Sequence, residues 1–335
     1  MIFVTGATGF IGAHLLYQLI GGGNKVVALK RPSSNLQLVK DVFKYYTRDY
    51  ETFFSKVDWV DGDILEYNTL LEVTQKADEI YHGGAMVSFD PGDKYKMLDA
   101  NIRGTANVVN AALENEVPKV AYISSVAALD PAREGQVITE EFFGNFPSRD
   151  SNYGESKFKA ELEVWRAVEE GLNAVVVNPS VVLGPCIPLK GPGGFFKVIR
   201  KGIGFYPYGM TGFADVRDVC SILIKLMQNN MVNERFIVSE GNHTYKELFQ
   251  QIAQAFQSKI PQREIKPFMT DIAWKLERVR SKLFMQKPRI TRELHESAHK
   301  RVRYSNEKVK QMLGHQFISL QQSIADTVSS LEHIG

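Results

Sequence analysis

The run Thr5-Gly6-Ala7-Thr8-Gly9-Phe10-Ile11-Gly12 constrains the fold of this chain more than any other stretch. It follows a short apolar, β-branched run and leads into an amphipathic one, so the glycines mark a strand that turns directly into a helix. Gly6 permits the tight turn, Gly9 lets a pyrophosphate approach the backbone, and Gly12 lets the helix pack closely on a sheet. The helix N-terminus then faces the phosphates, where unpaired amides and the helix dipole favour negative charge. Gly6, Thr8, Gly9, Phe10, Ile11 and Gly12 are therefore candidate residues of a dinucleotide site.

Up to about Pro179, short β-branched runs alternate with longer amphipathic stretches, the pattern of parallel βαβ units. Strands are expected at Ile2 to Thr5, Lys25 to Leu29, Val57 to Val60, Glu79 to His82, Lys119 to Ile123 and Ala174 to Asn178. Crossover helices are expected at Ile11 to Ile20, Leu98 to Glu114 and Tyr153 to Glu170. The fold class is α/β: a Rossmann-type doubly wound parallel sheet with a smaller, discontinuous C-terminal substrate lobe. Residues 1–180 form the nucleotide-binding domain, residues 213–239 return to it, and residues 181–212 and 240–335 make the substrate lobe. Within that lobe Ile272, Leu276, Val279 and Leu283 form an apolar stripe at helical spacing, expected to be core or lid.

The 335 residues carry 40 Lys and Arg against 38 Asp and Glu. That balance leaves no electrostatic footprint for nucleic acid or an anionic membrane. Cys186 and Cys220 are the two cysteines, without metal-ligand spacing, which fits a reducing compartment and a cytoplasmic location. The longest apolar run, Ala174 to Pro185, is broken by Asn178 and Pro179 and falls short of the roughly 20 residues that span a bilayer. The chain opens directly on its first strand, so no leader peptide is expected.

After the second strand, a carboxylate would suit the ribose hydroxyls of NAD. Here the chain reads Leu29-Lys30-Arg31-Pro32-Ser33-Ser34. Lys30, Arg31 and Ser34 suit a ribose 2′-phosphate, with Arg31 able to make a charge-assisted fork. NADP is the expected cofactor and NAD the alternative; solvated loop charges are the structural explanation of the same residues.

Tyr153-Gly154-Glu155-Ser156-Lys157 opens a predicted helix, and the four-residue spacing puts phenol and ammonium on one face. A free phenol with a pKa of ~10 is a poor acid-base group at neutral pH, and a neighbouring ammonium together with the oxidised cofactor's charge is expected to lower it. The preceding strand ends Tyr122-Ile123-Ser124-Ser125, placing two hydroxyls at the carboxyl edge of the sheet, where open α/β folds bind ligands.

With these residues in view, the chain resembles the extended short-chain dehydrogenase/reductase family, also called the NAD-dependent epimerase/dehydratase family, over nearly its whole length. The resemblance implies a catalytic Ser125, Tyr153 and Lys157, with Ser124 as the alternative serine. It implies that Asn101 stands near the lysine and that Asp63 and Ile64 contact adenine. Gly83, Gly84 and Ala85 would lie beside the pyrophosphate and nicotinamide ribose; the family usually has alanine where Gly84 stands. Pro179, Ser180 and Val181 fall in the stretch whose backbone meets the nicotinamide amide, and Ser124 is among the candidate cofactor contacts. Ala214-Asp215-Val216-Arg217-Asp218-Val219 is similar to a segment at the lobe junction, with a helix-start ion-pair cluster as the structural reading. Asn178 to Pro185 and Ala214 to Val219 point toward the dihydroflavonol reductase and cinnamoyl-CoA reductase branch. The resemblance also implies a homodimer through the helices at Leu98 to Glu114 and Tyr153 to Glu170.

Three functions follow: an NADP-dependent reductase of a small, partly apolar carbonyl substrate, a nucleotide-sugar epimerase or dehydratase holding NAD, and a non-catalytic cofactor sensor. The first is favoured. His295-Glu296-Ser297-Ala298-His299 has zinc-peptidase spacing, but its flanks are highly charged and the expectation is a chance match on a solvated helix, with no metal site. Phe195, Phe196, Phe205, Tyr206 and Tyr208 serve a pocket wall or a core equally well. His82 is read as structural.

Overall fold

The computed structural model describes residues 1–88, 90–131, 135–143, 151–283 and 292–333. Seven strands form one sheet: β1 (Ile2–Thr5), β2 (Val26–Lys30), β3 (Val57–Asp61), β4 (Glu79–His82), β5 (Lys119–Ile123), β6 (Ala174–Pro179) and β7 (Glu234–Val238). All neighbours pair in parallel, in the order β7-β6-β5-β4-β1-β2-β3. Such strands are covered on both faces, which is why β1 and β6 read as unbroken buried runs rather than alternating ones. Chain order reverses between β1 and β4, so a crevice opens at their carboxyl ends, where Thr5 pairs with His82.

Helices cover both faces. On one side lie α1 (Phe10–Gly21) and, much later in the chain, a helix at Val216–Gln228; on the other lie α2 (Gly104–Glu114) and α3 (Asn152–Glu169). Leu15, Leu16 and Leu19 of α1 share a core with Val219, Leu223 and Leu226, while Val108, Ala112, Ala160 and Val164 pack against Phe3, Val120 and Tyr122. The alternating faces of β5 thus serve different layers, with Tyr122 turned toward α3.

The remaining residues build a second core in which Leu183, Phe196, Phe213, Leu248, Ile252 and Ile324 meet. It carries a three-stranded sheet of Gly241–Thr244, Met210–Asp215 and Val181–Leu183. Phe213 to Asp215 therefore lies in this small sheet, and the elements that come back to the large one are Val216–Gln228 and β7.

Two expectations change. The helix expected across Leu98 to Glu114 is interrupted: Lys94–Leu98 is α-helical, Asp99–Arg103 is a π turn, and α2 starts at Gly104. A side chain at residue 104 would stand 2.5 Å from Ile64 Cδ1, so the close crossing depends on the glycine. The helix Pro267–Leu283 forms as its spacing predicts, yet Ile272 and Leu276 are 53% and 65% exposed, so this part of the stripe is not core; the side chains of Val279 and Leu283 lie outside the described residues.

Candidate active site

The glycine-rich turn is a cradle that side chains would fill. Gly6 has φ +71°, and a Cβ there would lie 2.4 Å from the Gly83 carbonyl; one on Gly12 would lie 2.2 Å from Gly6 O. These two glycines let β1, β4 and α1 close on one another. Gly9 differs: a Cβ would meet Gly6 O at 3.2 Å and is otherwise open, so the bare backbone faces the crevice. Gly9 also caps α1 without a side-chain hydrogen bond, leaving the first amides for an anion. Thr8, Phe10 and Ile11 are half-buried around it. The cradle fits the pyrophosphate of a dinucleotide.

Around the turn, the Gly83 amide donates to Thr5 O at 3.1 Å and the Gly84 amide to Thr5 Oγ1 at 3.1 Å, leaving Ala85 exposed at the crevice. Asp63 Oδ1 accepts from the Leu65 amide at 3.0 Å, and Ile64 O accepts from Asn107 at 3.0 Å, fixing the loop after β3. Lys30 is ion-paired with Asp61 at the end of β3. Arg31 is exposed, and its amide donates to Ser34 Oγ at 3.1 Å. Of the two cations read from the sequence, Lys30 thus already has a carboxylate partner. Pro179 ends β6, Ser180 hydrogen-bonds Val238 O at 3.3 Å and Ser239 at 3.2 Å, and Val181 begins the small sheet half-buried.

Ser125, Tyr153 and Lys157 converge at the carboxyl end of β5. Ser125 leaves the strand extended, and its Oγ accepts from the Ala127 amide at 3.2 Å as the cap of a short turn. Helix α3 starts on a Ser151 cap, and at Gly154 it runs so close to that turn that a Cβ would lie 2.8 Å from Ala127 O. This approach brings the Tyr153 phenol beside the Ser125 hydroxyl, which pulls against its burial. One helical turn on, Lys157 Nζ donates to Tyr122 Oη and to Ile123 O, both at 2.8 Å, with Nζ 4.4 Å from the Tyr122 ring centroid. Asn101, in the π turn, accepts from the Met86 amide at 2.7 Å and donates to Ser156 Oγ at 2.8 Å, joining the loop after β4 to α3. π turns recur at functional sites because the extra residue redirects one side chain.

Ser124 is occupied elsewhere. It donates to Glu161, a fully buried carboxylate that also receives Asn178 Nδ2 at 2.9 Å, Trp165 Nε1 at 3.2 Å and the Arg235 guanidinium. A buried charge needs such partners. Glu161 and Tyr122 were both missed from the sequence. Glu161 repeats the four-residue spacing from Lys157, and Tyr122 shares its strand face with Ser124, so both signals were present.

Burial sets the electrostatics. It pushes the Lys157 ammonium down to about 7, with Glu161 opposing. It also lifts the Tyr153 phenol above its ordinary value, with the Ser125 hydrogen bond pulling back. The expected lowering of Tyr153 is therefore absent in the protein alone: desolvation outweighs the pull of Ser125, and Lys157 bonds Tyr122 instead. His82 is pushed down to about 3, chiefly by burial and further by Lys157, and stays neutral between Thr5 and Thr105.

The other sequence candidates divide. Asp215 caps the helix Val216–Gln228 and pairs with Arg217, which also pairs with Asp326, while Asp218 holds His315 at 3.0 Å; this segment is a structural knot. Phe196 is core, Phe195 packs on Tyr245 and Phe249, and Phe205 and Tyr208 are exposed. His295 and His299 are half-buried rather than solvated, each 2.7 Å from Thr270 Oγ1. Among the described residues no group of three or more His, Cys, Asp or Glu side chains is placed to hold a metal.

Fold, cradle and side chains together define an oxidoreductase that binds a nicotinamide dinucleotide. Residues 2–239 match the model of the NAD dependent epimerase/dehydratase family, and the chain belongs to that family. A Synechocystis sp. protein that carries a dihydroflavonol 4-reductase name is 26% identical over 340 residues, 99% of this chain and 95% of that one. Cinnamoyl-CoA reductase 1 of Petunia hybrida is 26% identical over 345 residues, 100% of this chain and 93% of that one. Among solved structures, gox2253 superposes with a TM-score of 0.81 at 26% identity, covering 100% of this chain and 98% of that one. WbmH of Bordetella bronchiseptica in complex with NAD+ gives 0.73 at 21%, covering 99% and 97%, a likeness of fold. No helix among the described residues is long and apolar enough to cross a membrane.

Proposed function

We propose that this chain is an NADP-dependent reductase of an aldehyde or ketone on a small, partly apolar substrate. The observation that carries the reading is the convergence of Tyr153, Ser125 and Lys157 at the edge of β5, beside the glycine cradle. Gly6, Gly9 and Gly12 hold the pyrophosphate, Asp63 and Ile64 border the adenine, and Arg31 with Ser34 takes the 2′-phosphate. The cofactor supplies the hydride. Ser125 orients the carbonyl oxygen, Tyr153 gives it a proton as the alcohol forms, and Lys157 holds the ribose hydroxyls. The reductase-named relatives, which match this chain along nearly their whole length, support the choice over sugar chemistry.

The substrate lobe is assigned to residues 181–212 and 240–335, the location to the cytoplasm, and the assembly to a homodimer. Tyr95 at 83% exposure and Leu162 at 42% supply apolar surface near and on α3 for such a contact. Sedimentation at micromolar concentration reads the assembly. A panel of aldehydes, ketones and nucleotide sugars with NADPH tests the function: net NADPH oxidation with a carbonyl compound is expected, and sugar conversion without it overturns the reading in favour of an epimerase.

A further inference from the structure

The near-even charge of the whole chain conceals an uneven distribution. Of its 40 Lys and Arg and 38 Asp and Glu, 12 and 5 fall between residues 263 and 303, leaving 28 and 33 for all the rest. One segment is therefore strongly basic on an otherwise acidic chain. It includes the helix Pro267–Leu283, whose apolar stripe is in water: Phe268 is 60% exposed and Met269 42%, alongside Ile272 and Leu276. Exposed apolar side chains in a contiguous row, unlike scattered ones, mark a contact surface.

The helix has a definite covered side. Thr270 Oγ1 lies 2.7 Å from both His295 Nδ1 and His299 Nε2, so the helix Arg292–His299 packs there. At about 100° per residue, Phe268, Met269, Ile272 and Leu276 fall within about 100° of arc, centred about 150° from Thr270. Lys275 and Arg280 stand about 20° beyond the two edges of that arc, and their carboxylate partners, Asp271 and Glu277, stand farther round. Cations thus border the apolar face on both sides, with the acids set back from it. Just before the helix, the strand Arg263–Ile265 pairs with Phe205–Pro207, where Phe205 is exposed, and Arg301 lies 5.0 Å from the ring of exposed Tyr208.

We propose that the helix Pro267–Leu283 lies in the plane of an anionic lipid bilayer, with Phe268, Met269, Ile272 and Leu276 in the acyl boundary and Lys275 and Arg280 at the headgroups. An apolar sector edged by Lys and Arg is the form that such helices take, because burial and attraction to anionic headgroups then act on the same face. With 17 residues the helix is about 25 Å long and charged along both edges, so it rests on the bilayer and does not cross it. Other occupants fit less well. Nucleic acid would take the cations and leave the stripe in water. A second copy, docked face to face through the same patch, would set like charge against like. The helix belongs to the lobe assigned to substrate, so lipid docking brings that lobe to carbonyl compounds that partition into the bilayer; the docking itself stands without the reductase reading.

The test is flotation of the full chain with vesicles of phosphatidylglycerol and phosphatidylcholine in equal parts, against vesicles of phosphatidylcholine alone. Binding is expected on the anionic vesicles, and raising NaCl to about 0.5 M should weaken it by ~10-fold or more. Ile272→Asp and Leu276→Asp should each weaken it by ~10-fold or more with the thermal midpoint unchanged, since both side chains are exposed in the free protein. Met312→Asp is the control: Met312 is exposed on the helix Glu307–Leu313, whose Val309 joins the core of the large sheet, and binding should persist. No binding to the anionic vesicles, equal binding by wild type and both stripe variants, or an equal loss in Met312→Asp overturns the proposal. So does a dimer in vesicle-free sedimentation that Ile272→Asp splits, which would give the face to a second copy. The assay uses neither cofactor nor carbonyl substrate, so failure of the substrate panel leaves it standing.

Discussion

Ser124 and Ser125 are adjacent in the chain and have different partners: the first hydroxyl is tied to buried Glu161, while the second accepts the Ala127 amide beside Tyr153. The chain leaves β5 between them, and the second side chain caps the short turn that follows. Ser125→Ala is expected to lower turnover by at least ~100-fold, since it removes the group proposed to orient the reacting oxygen, with a stability loss limited to the ~1 kcal/mol of a turn cap. Ser124→Ala is expected to do the reverse, retaining turnover and losing ~1–3 kcal/mol of stability, because a buried carboxylate is left one donor short. Equal turnover losses in both variants would contradict the division of labour.

Tyr153→Phe removes the proposed proton donor while keeping the ring. Cofactor affinity, read by fluorescence titration, should hold, and kcat should fall by ~100-fold or more. Turnover within a few-fold of wild type would sink the role given to the phenol.

The proposed preference for NADP rests on Arg31, since Lys30 is already paired with Asp61. Arg31→Ala should weaken NADP by ~10–100-fold, the scale of a charge-assisted hydrogen bond, and leave NAD affinity unchanged. Lys30→Ala should do much less. Equal affinity of the wild type for the two cofactors would remove the basis for the assignment.

His14 and His82 predict acid sensitivity. Burial pushes them down to about 4 and about 3, against an unfolded value of 6.5, so below pH 6.5 the unfolded chain binds protons that the native protein excludes. Stability from these groups is full above about 6.5 and falls as pH drops toward 4, by up to about 1.4 kcal/mol per pH unit for each imidazole. Urea midpoints measured from pH 7 to 4.5 read this, and His14→Gln should flatten the slope. A midpoint that does not fall would show that these imidazoles are not held neutral.

Much of the sheet was legible because parallel strands are covered on both faces and therefore read as dense apolar runs; β1, β4 and β5 have the bounds that their residues suggest. The glycine turn was legible for a similar reason, since backbone crowding leaves glycine as the residue that fits. What escaped depends on contacts between distant residues. The π turn at Asn101 is set by Ile64 crossing Gly104 and by the Met86 amide, neither of which shows in local periodicity. Lys157 was visible as half of a pair with Tyr153, while its bonds to Tyr122 and Ile123 O arise only when α3 docks on β5. The exposed face of Pro267–Leu283 shows the same limit, because helical spacing identifies an apolar side and says nothing about what covers it.

Gly154 acts as a depth stop for α3: a Cβ there would lie 2.8 Å from Ala127 O, and its absence lets the helix sink until backbone meets backbone. Tyr153 and Lys157 flank it on the same rigid helix, so their reach into the crevice is one mechanical setting rather than two. A methyl group at residue 154 would back both side chains out together. Along this stretch, then, the route open to sequence drift lies at Glu155, whose partners Lys94 and Lys159 are on the surface, while its neighbour is closed even to the smallest side chain.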